Sequence, residues 1–142
     1  MLYNQFYSEL GKLLYAVADV DGLISAKEKK ALHELVKKEL VVAEKNTDEF
    51  GTDAAWYAEF EFDFMDETIA EPEAAFESFI NFIEEHKTAI SISMLIASKK
   101  AALQLSRVYY HTNIKEKQLL KKLNRIINML LKEKSKITLN IL

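Results

Sequence analysis

The chain has 142 residues, 49% of them hydrophobic and 29% charged, with a net charge of −3. That length suits one domain with a real core, and the composition excludes a disordered chain. Cysteine is absent, which excludes disulfides, zinc fingers and thiol catalysis; Gly11, Gly22, Gly51 and Pro72 are the only glycines and proline, too few for a glycine-rich phosphate cradle or a many-stranded β-domain.

The apolar stripe Leu2, Phe6, Leu10, Leu13, Leu14, Val17 predicts a first helix ending before Asp19-Val20-Asp21-Gly22, where Gly22 can take a positive φ. Ser25-Ala26-Lys27-Glu28 reads as a capping box, in which the hydroxyl and the carboxylate each satisfy an orphan backbone N–H. It opens a second helix with Leu32, Leu35, Val36 and Leu40 on one face. After a polar stretch from Glu44 to Asp53, Thr52 or Asp53 can cap a third helix reaching about Ile69. Within it Glu59 to Phe64 alternates with period two, but Trp56, Phe60 and Phe64 recur every four residues, and the unbroken length favours helix. Aromatics at that spacing are expected in the core. Pro72 suits the first turn of a fourth helix with the stripe Phe76, Phe79, Ile80, Ile83. Thr88 to Tyr110, rich in small residues, reads as a central buried helix. Asn113-Ile114-Lys115-Glu116, a second capping box, opens a last helix with the stripe Leu119/Leu120, Leu123, Ile127, Leu130/Leu131.

The expectation is an all-α, single-domain bundle of about six helices spanning 1–142, with a flexible tail at 135–142. A degenerate helical-hairpin repeat accompanies it: Leu13 to Leu32 aligns without gaps on Leu103 to Lys122. The opening Met1-Leu2-Tyr3-Asn4-Gln5-Phe6 lacks a signal-peptide pattern, and the charge-free stretch Thr88 to Ser98 has 11 residues, where a membrane span takes about 20. A cytoplasmic protein is expected.

Charge is segregated. Residues 1–43 are neutral, residues 44–85 carry fourteen acids and one base, and residues 86–142 carry two acids and twelve bases. Three readings follow: the acidic middle screens the basic end within one chain, the basic end meets an anionic partner, or two copies associate head to tail. For the second reading, Lys121, Lys122, Arg125 and Lys132 flank the last helix and fit an anionic membrane surface. Nucleic acid is disfavoured, because no aromatics interleave these bases and the protein is acidic overall.

The sharpest candidate site is Asp19-x-Asp21-Gly22-x-Ile24-Ser25-x-x-Glu28. It resembles part of a calcium loop, with Asp19, Asp21 and Glu28 as ligands of a divalent cation such as Ca²⁺. The first ligand position falls on Val17, so the loop is incomplete, and a turn followed by a helix cap explains the same residues. His33-Glu34 lacks the second histidine of a zinc helix, and His86 lacks the acid three residues earlier that a di-iron helix needs. The acidic middle, with Asp48, Glu49, Asp53, Asp63, Asp66, Glu67, Glu71 and Glu73, singles out no catalytic pair and reads as a solvated face. No enzyme and no organic cofactor is expected.

Tyr15-Ala16-Val17-Ala18-Asp19-Val20-Asp21-Gly22-Leu23-Ile24-Ser25-Ala26-Lys27-Glu28 resembles the signature of TerB (tellurite-resistance B-like) domains. Asp48-Glu49-Phe50-Gly51-Thr52-Asp53-Ala54-Ala55 and Glu73-Ala74-Ala75-Phe76-Glu77-Ser78-Phe79 are similar to further TerB-like segments, so the resemblance covers about Phe6 to Leu131. It implies an all-α domain acting as a non-enzymatic interaction or scaffold module with a protein partner, in bacterial resistance to tellurite and other stresses. It also implies metal contacts at Asp19, Asp21 and Glu28. The chain departs from a paired site in its second half, where His111-Thr112-Asn113 and Gln118 stand in place of acids.

Overall fold

The structure, a computed structural model, describes residues 2–19, 24, 26–40, 53–107 and 114–141; the side chains of residues 28 and 137–141 lie outside the described set. Among the described residues there are six α-helices and no β-strand. They are α1 (Leu2–Asp19), α2 (Ala26–Leu35), α3 (Trp56–Glu67), α4 (Pro72–Glu85), α5 (Ile92–Ser106) and α6 (Ile114–Ile141). A π-helical turn, Val36–Leu40, prolongs α2 and buries Val36 and Leu40.

The centre of the bundle is α1, not the Thr88 to Tyr110 segment that its small residues suggested. Phe6, Leu10, Leu13, Leu14, Tyr15 and Ala16 are buried together, and α1 packs on α3, α4, α5 and α6. Its neighbour α5 is buried along Met94, Leu95, Ser98, Ala101, Ala102 and Leu105, but Ile92 and Ile96 reach solvent. The buried serines of α5 are satisfied locally: Ser98 Oγ donates to the Met94 carbonyl (2.9 Å) and Ser106 Oγ to the Leu103 carbonyl (2.8 Å). The helix is capped by Ser91, whose Oγ accepts from the Met94 N–H at 3.1 Å.

Between α1 and α4 a closed polar triangle forms. Lys12 Nζ donates to Glu9 Oε1 (2.9 Å) and Ser78 Oγ (3.2 Å), while Ser78 Oγ donates to Glu9 Oε2 (2.8 Å). Pro72 occupies the first turn of α4 as expected, and Phe76, Phe79, Ile80 and Ile83 face the core. In α6 the stripe Leu119, Leu123, Ile127, Leu130 is buried against the bundle, packing chiefly on α5.

The approach of α3 to α1 decides the rest. Gly11 lies against α3 so closely that a Cβ there would sit 2.9 Å from Glu61 Cβ and closer still to the Ala58 carbonyl oxygen. Such an approach needs small residues where the helices touch, and Gly11 meets Ala58 there, while Ala54 and Ala55 just before α3 and Phe62 within it are also fully buried. The expected aromatic stripe is therefore turned the other way. Trp56 is half-buried, and Phe60 and Phe64 remain 55% and 58% exposed. The expected cap also differs. The residue preceding α3, Ala55, is already helical and makes no side-chain cap, and the chain enters α3 through tight backbone bonds from Trp56 N–H to the Asp53 carbonyl (3.0 Å) and from Tyr57 N–H to the Ala54 carbonyl (3.0 Å). Thr52 lies outside the described residues.

Candidate functional site

Phe60, Asp63, Phe64 and Glu67 follow the i, i+3, i+4, i+7 pattern of one helix face, and all four are exposed. Tyr57 extends the row, its ring meeting Phe60 edge-on at 5.9 Å. Two phenylalanines thus stand in water among carboxylates on a helix whose opposite face is packed in the core.

Helix α2 anchors the acidic flank of this face. Lys29 Nζ pairs with Asp66 Oδ2 at 2.8 Å, and His33 Nδ1 pairs with Glu59 Oε1 at 2.8 Å, with the His33 ring 5.8 Å from that of Trp56. The hydrogen bond to Asp66 and its charge raise the Lys29 pKa. Asp63 stands between these pairs without a cation in ion-pair distance among the described residues. Its own partial burial, then the carboxylates of Glu59, Glu67 and Asp66, push its pKa up, outweighing the pull of Lys29. Asp63 is thus a carboxylate held in an unfavourable field, which a cation from outside would relieve.

The face ends at an unusual turn. Ala70 N–H donates to the Met65 carbonyl (3.0 Å) and Ile69 N–H to the Asp66 carbonyl (3.3 Å), the two bonds of a Schellman cap. The residue that must turn left-handed there is normally glycine; here it is Ile69, at φ 53° and 86% exposed. Tyr15 holds the turn from beneath: its hydroxyl has one proton, shared between the Ala70 carbonyl oxygen at 2.6 Å and Asp19 Oδ2 at 3.0 Å. Burial, reinforced by Asp19, raises the Tyr15 pKa well above its ordinary value. A strained β-branched residue is thereby presented to solvent at the C-terminal end of α3.

A second exposed face, of opposite charge, runs along α6. Lys117, Lys121, Arg125, Met129 and Lys132 are exposed there, with Met129 58% accessible, and among the described residues none of these four cations has a carboxylate within 4.0 Å. Lys122 alone of the candidate membrane-contact residues is paired, to Glu77 Oε1 of α4 at 2.9 Å. That bridge is the ion pair joining the acidic middle to the basic last third among the described residues. Because the apolar stripe of α6 is buried, this helix offers a membrane its cations and not a greasy side. No helix of the described residues is long and apolar enough to cross a membrane.

Of the candidate cation ligands, Asp19 closes α1 and accepts the Tyr15 hydroxyl, Asp21 lies outside the described residues, and Glu28 falls in the first turn of α2 with its side chain outside them. The described residues contain no group of three histidines or carboxylates arranged to hold a metal. His86 Nδ1 reaches the Phe82 carbonyl at 3.0 Å, and His111 is outside the described residues. Sequence periodicity identified α3 but not its outward face, and no glycine signalled the turn at Ile69. No family profile, curated protein or solved structure matches this chain.

Proposed function

We propose that this protein is a non-enzymatic interaction module whose working surface is the outer face of α3. One observation carries the reading: Phe60 and Phe64 stand exposed in a row with Asp63 and Glu67, on the helix that ends in the turn at the exposed Ile69. Covering the open halves of two phenylalanines and Ile69 is worth on the order of 1 kcal/mol each. Association costs about 4–15 kcal/mol, so apolar burial alone does not suffice and the partner must also answer the carboxylates. The face therefore fits a basic surface with apolar side chains among its cations. The resemblance to TerB-like domains at Tyr15 to Glu28 suggests a bacterial stress response, tellurite resistance included, as the setting.

The test is photo-cross-linking in cells from a benzoylphenylalanine placed at position 64, with position 73 on α4 as control. An adduct specific to position 64 that is lost on Asp63→Lys with Glu67→Lys is the expected result. A folded protein that forms no such adduct would overturn the reading.

A further inference from the structure

The occupant of the α3 face is the remaining question, and the same chain carries a matching surface. We infer that the α3 face of one copy docks on the α6 face of a second copy, head to tail; this rests on α3 being an interaction surface. The two faces correspond in chemistry. On α3, Asp63 and Glu67, one helical turn apart, alternate with Phe60 and Phe64; on α6, Lys121 and Arg125, also one turn apart, are followed by Met129 and Lys132. The α3 face exposes Phe60 and Phe64 and the α6 face exposes Met129, each beside charges that have no ion-pair partner among the described residues and are of opposite sign, and Met129 is a side chain suited to packing against aromatic rings.

These faces do not neutralise each other within one molecule. Helix α3 packs chiefly on α1, α6 packs chiefly on α5, and the bridge between acidic and basic blocks uses Glu77 and Lys122, neither of which belongs to the two faces. Asp63, crowded by Glu59, Asp66 and Glu67, gains most from an incoming guanidinium or ammonium group. An anionic membrane is the rival occupant of α6, but it leaves every α3 face uncovered, whereas each head-to-tail contact with another copy covers one α3 face and one α6 face.

Sedimentation velocity and charge exchange test the inference. The wild-type chain is expected to show an average mass that rises with concentration at about 0.01 M salt and returns to the monomer at about 1 M, where the screening length falls to about 3 Å. Asp63→Lys with Glu67→Lys, and separately Lys121→Glu with Arg125→Glu, each abolish association; all four positions are exposed, and circular dichroism confirms that both variants fold. Mixed in equal amounts, the two variants associate with each other although neither associates alone, because the intact α3 face of one meets the intact α6 face of the other and the two reversed faces again carry opposite charges. A wild type that stays monomeric at low salt overturns the inference, as does association that survives either reversal, or a mixture that remains monomeric. The cross-link at position 64 separates this from the broader reading: adducts at twice the chain mass or a higher whole multiple support both, and an adduct that is no multiple of the chain mass keeps the interaction module and removes the second copy.

Discussion

Tyr15, about one turn before the end of the central helix, donates a 2.6 Å hydrogen bond to the carbonyl of Ala70, directly after the left-handed Ile69. The core thus holds the turn that ends the α3 face. Tyr15→Phe removes the bond while keeping the ring against Phe62, whose centroid lies 6.0 Å away. The expected cost is about 1 kcal/mol, read as a fall of a few degrees in thermal midpoint.

The same hydroxyl sets an alkaline limit. The folded pKa of Tyr15 is raised, first by burial and then by Asp19, whereas an unfolded tyrosine ionises near about 10. Above that pH the unfolded chain has lost a proton that the folded chain keeps, so stability falls as pH rises. Denaturant midpoints measured across this range should decline for the wild type and decline less for Tyr15→Phe. A tyrosine in the native protein should also resist ionisation until unfolding, seen in the ultraviolet phenolate band.

Gly11→Ala inverts the usual helix rule. On an open helix the change stabilises by about 1 kcal/mol. Here the added methyl meets the Ala58 carbonyl and Glu61 Cβ, so α3 must shift, at a cost of about 1–3 kcal/mol. Chemical denaturation should show a net loss of stability, and the variant should also weaken any association through α3.

Two substitutions should move stability and association in opposite directions. Ile69→Gly relieves the left-handed strain and is expected to stabilise the fold by about 1 kcal/mol, while removing an apolar contact from the docking face. Asp63→Asn relieves repulsion from Glu59, Glu67 and Asp66, with a gain within about 0.5 kcal/mol, and removes the charge that a basic partner answers. Thermal melts and sedimentation on the same samples check both signs.

The clamp of α2 on α3 should contribute little to stability. Lys29 and Asp66 meet at 2.8 Å, but Lys29 is largely in water, and a double-mutant cycle with Lys29→Met and Asp66→Asn should give a coupling of about 0.2–1 kcal/mol. A coupling well above that would make the pair a structural staple instead of a device that orients the acidic row.

The helices were legible because their stripes repeat at the helical period. The stripe of α1, the proline opening α4 and the apolar row of α6 all fell where the spacing put them. Which aromatics of α3 face inward was not legible, because Phe60 and Phe64 on one side and Phe62 on the other satisfy the same period. The choice is made by Gly11 meeting Ala58, a relation between residues far apart in the chain. The centrality of α1 was hidden for a similar reason: the small residues of Thr88 to Tyr110 look like close-packing surface, yet Ile92 and Ile96 stay in water. The turn at Ile69 carries no glycine and so gave no signal. The cations of α6 were visible as a basic run, but that Lys117, Lys121, Arg125 and Lys132 have no ion-pair partner among the described residues is a property of the packing.

Because α3 and α6 are separate surfaces, joining one to the other leaves a vacant α3 at one end of the pair and a vacant α6 at the opposite end. Growth by this rule is directional and, unless the turn between subunits closes a ring, has no built-in stopping point. A small fraction of chains with one face disabled would then act as terminators, setting the length of the assembly without altering any other subunit.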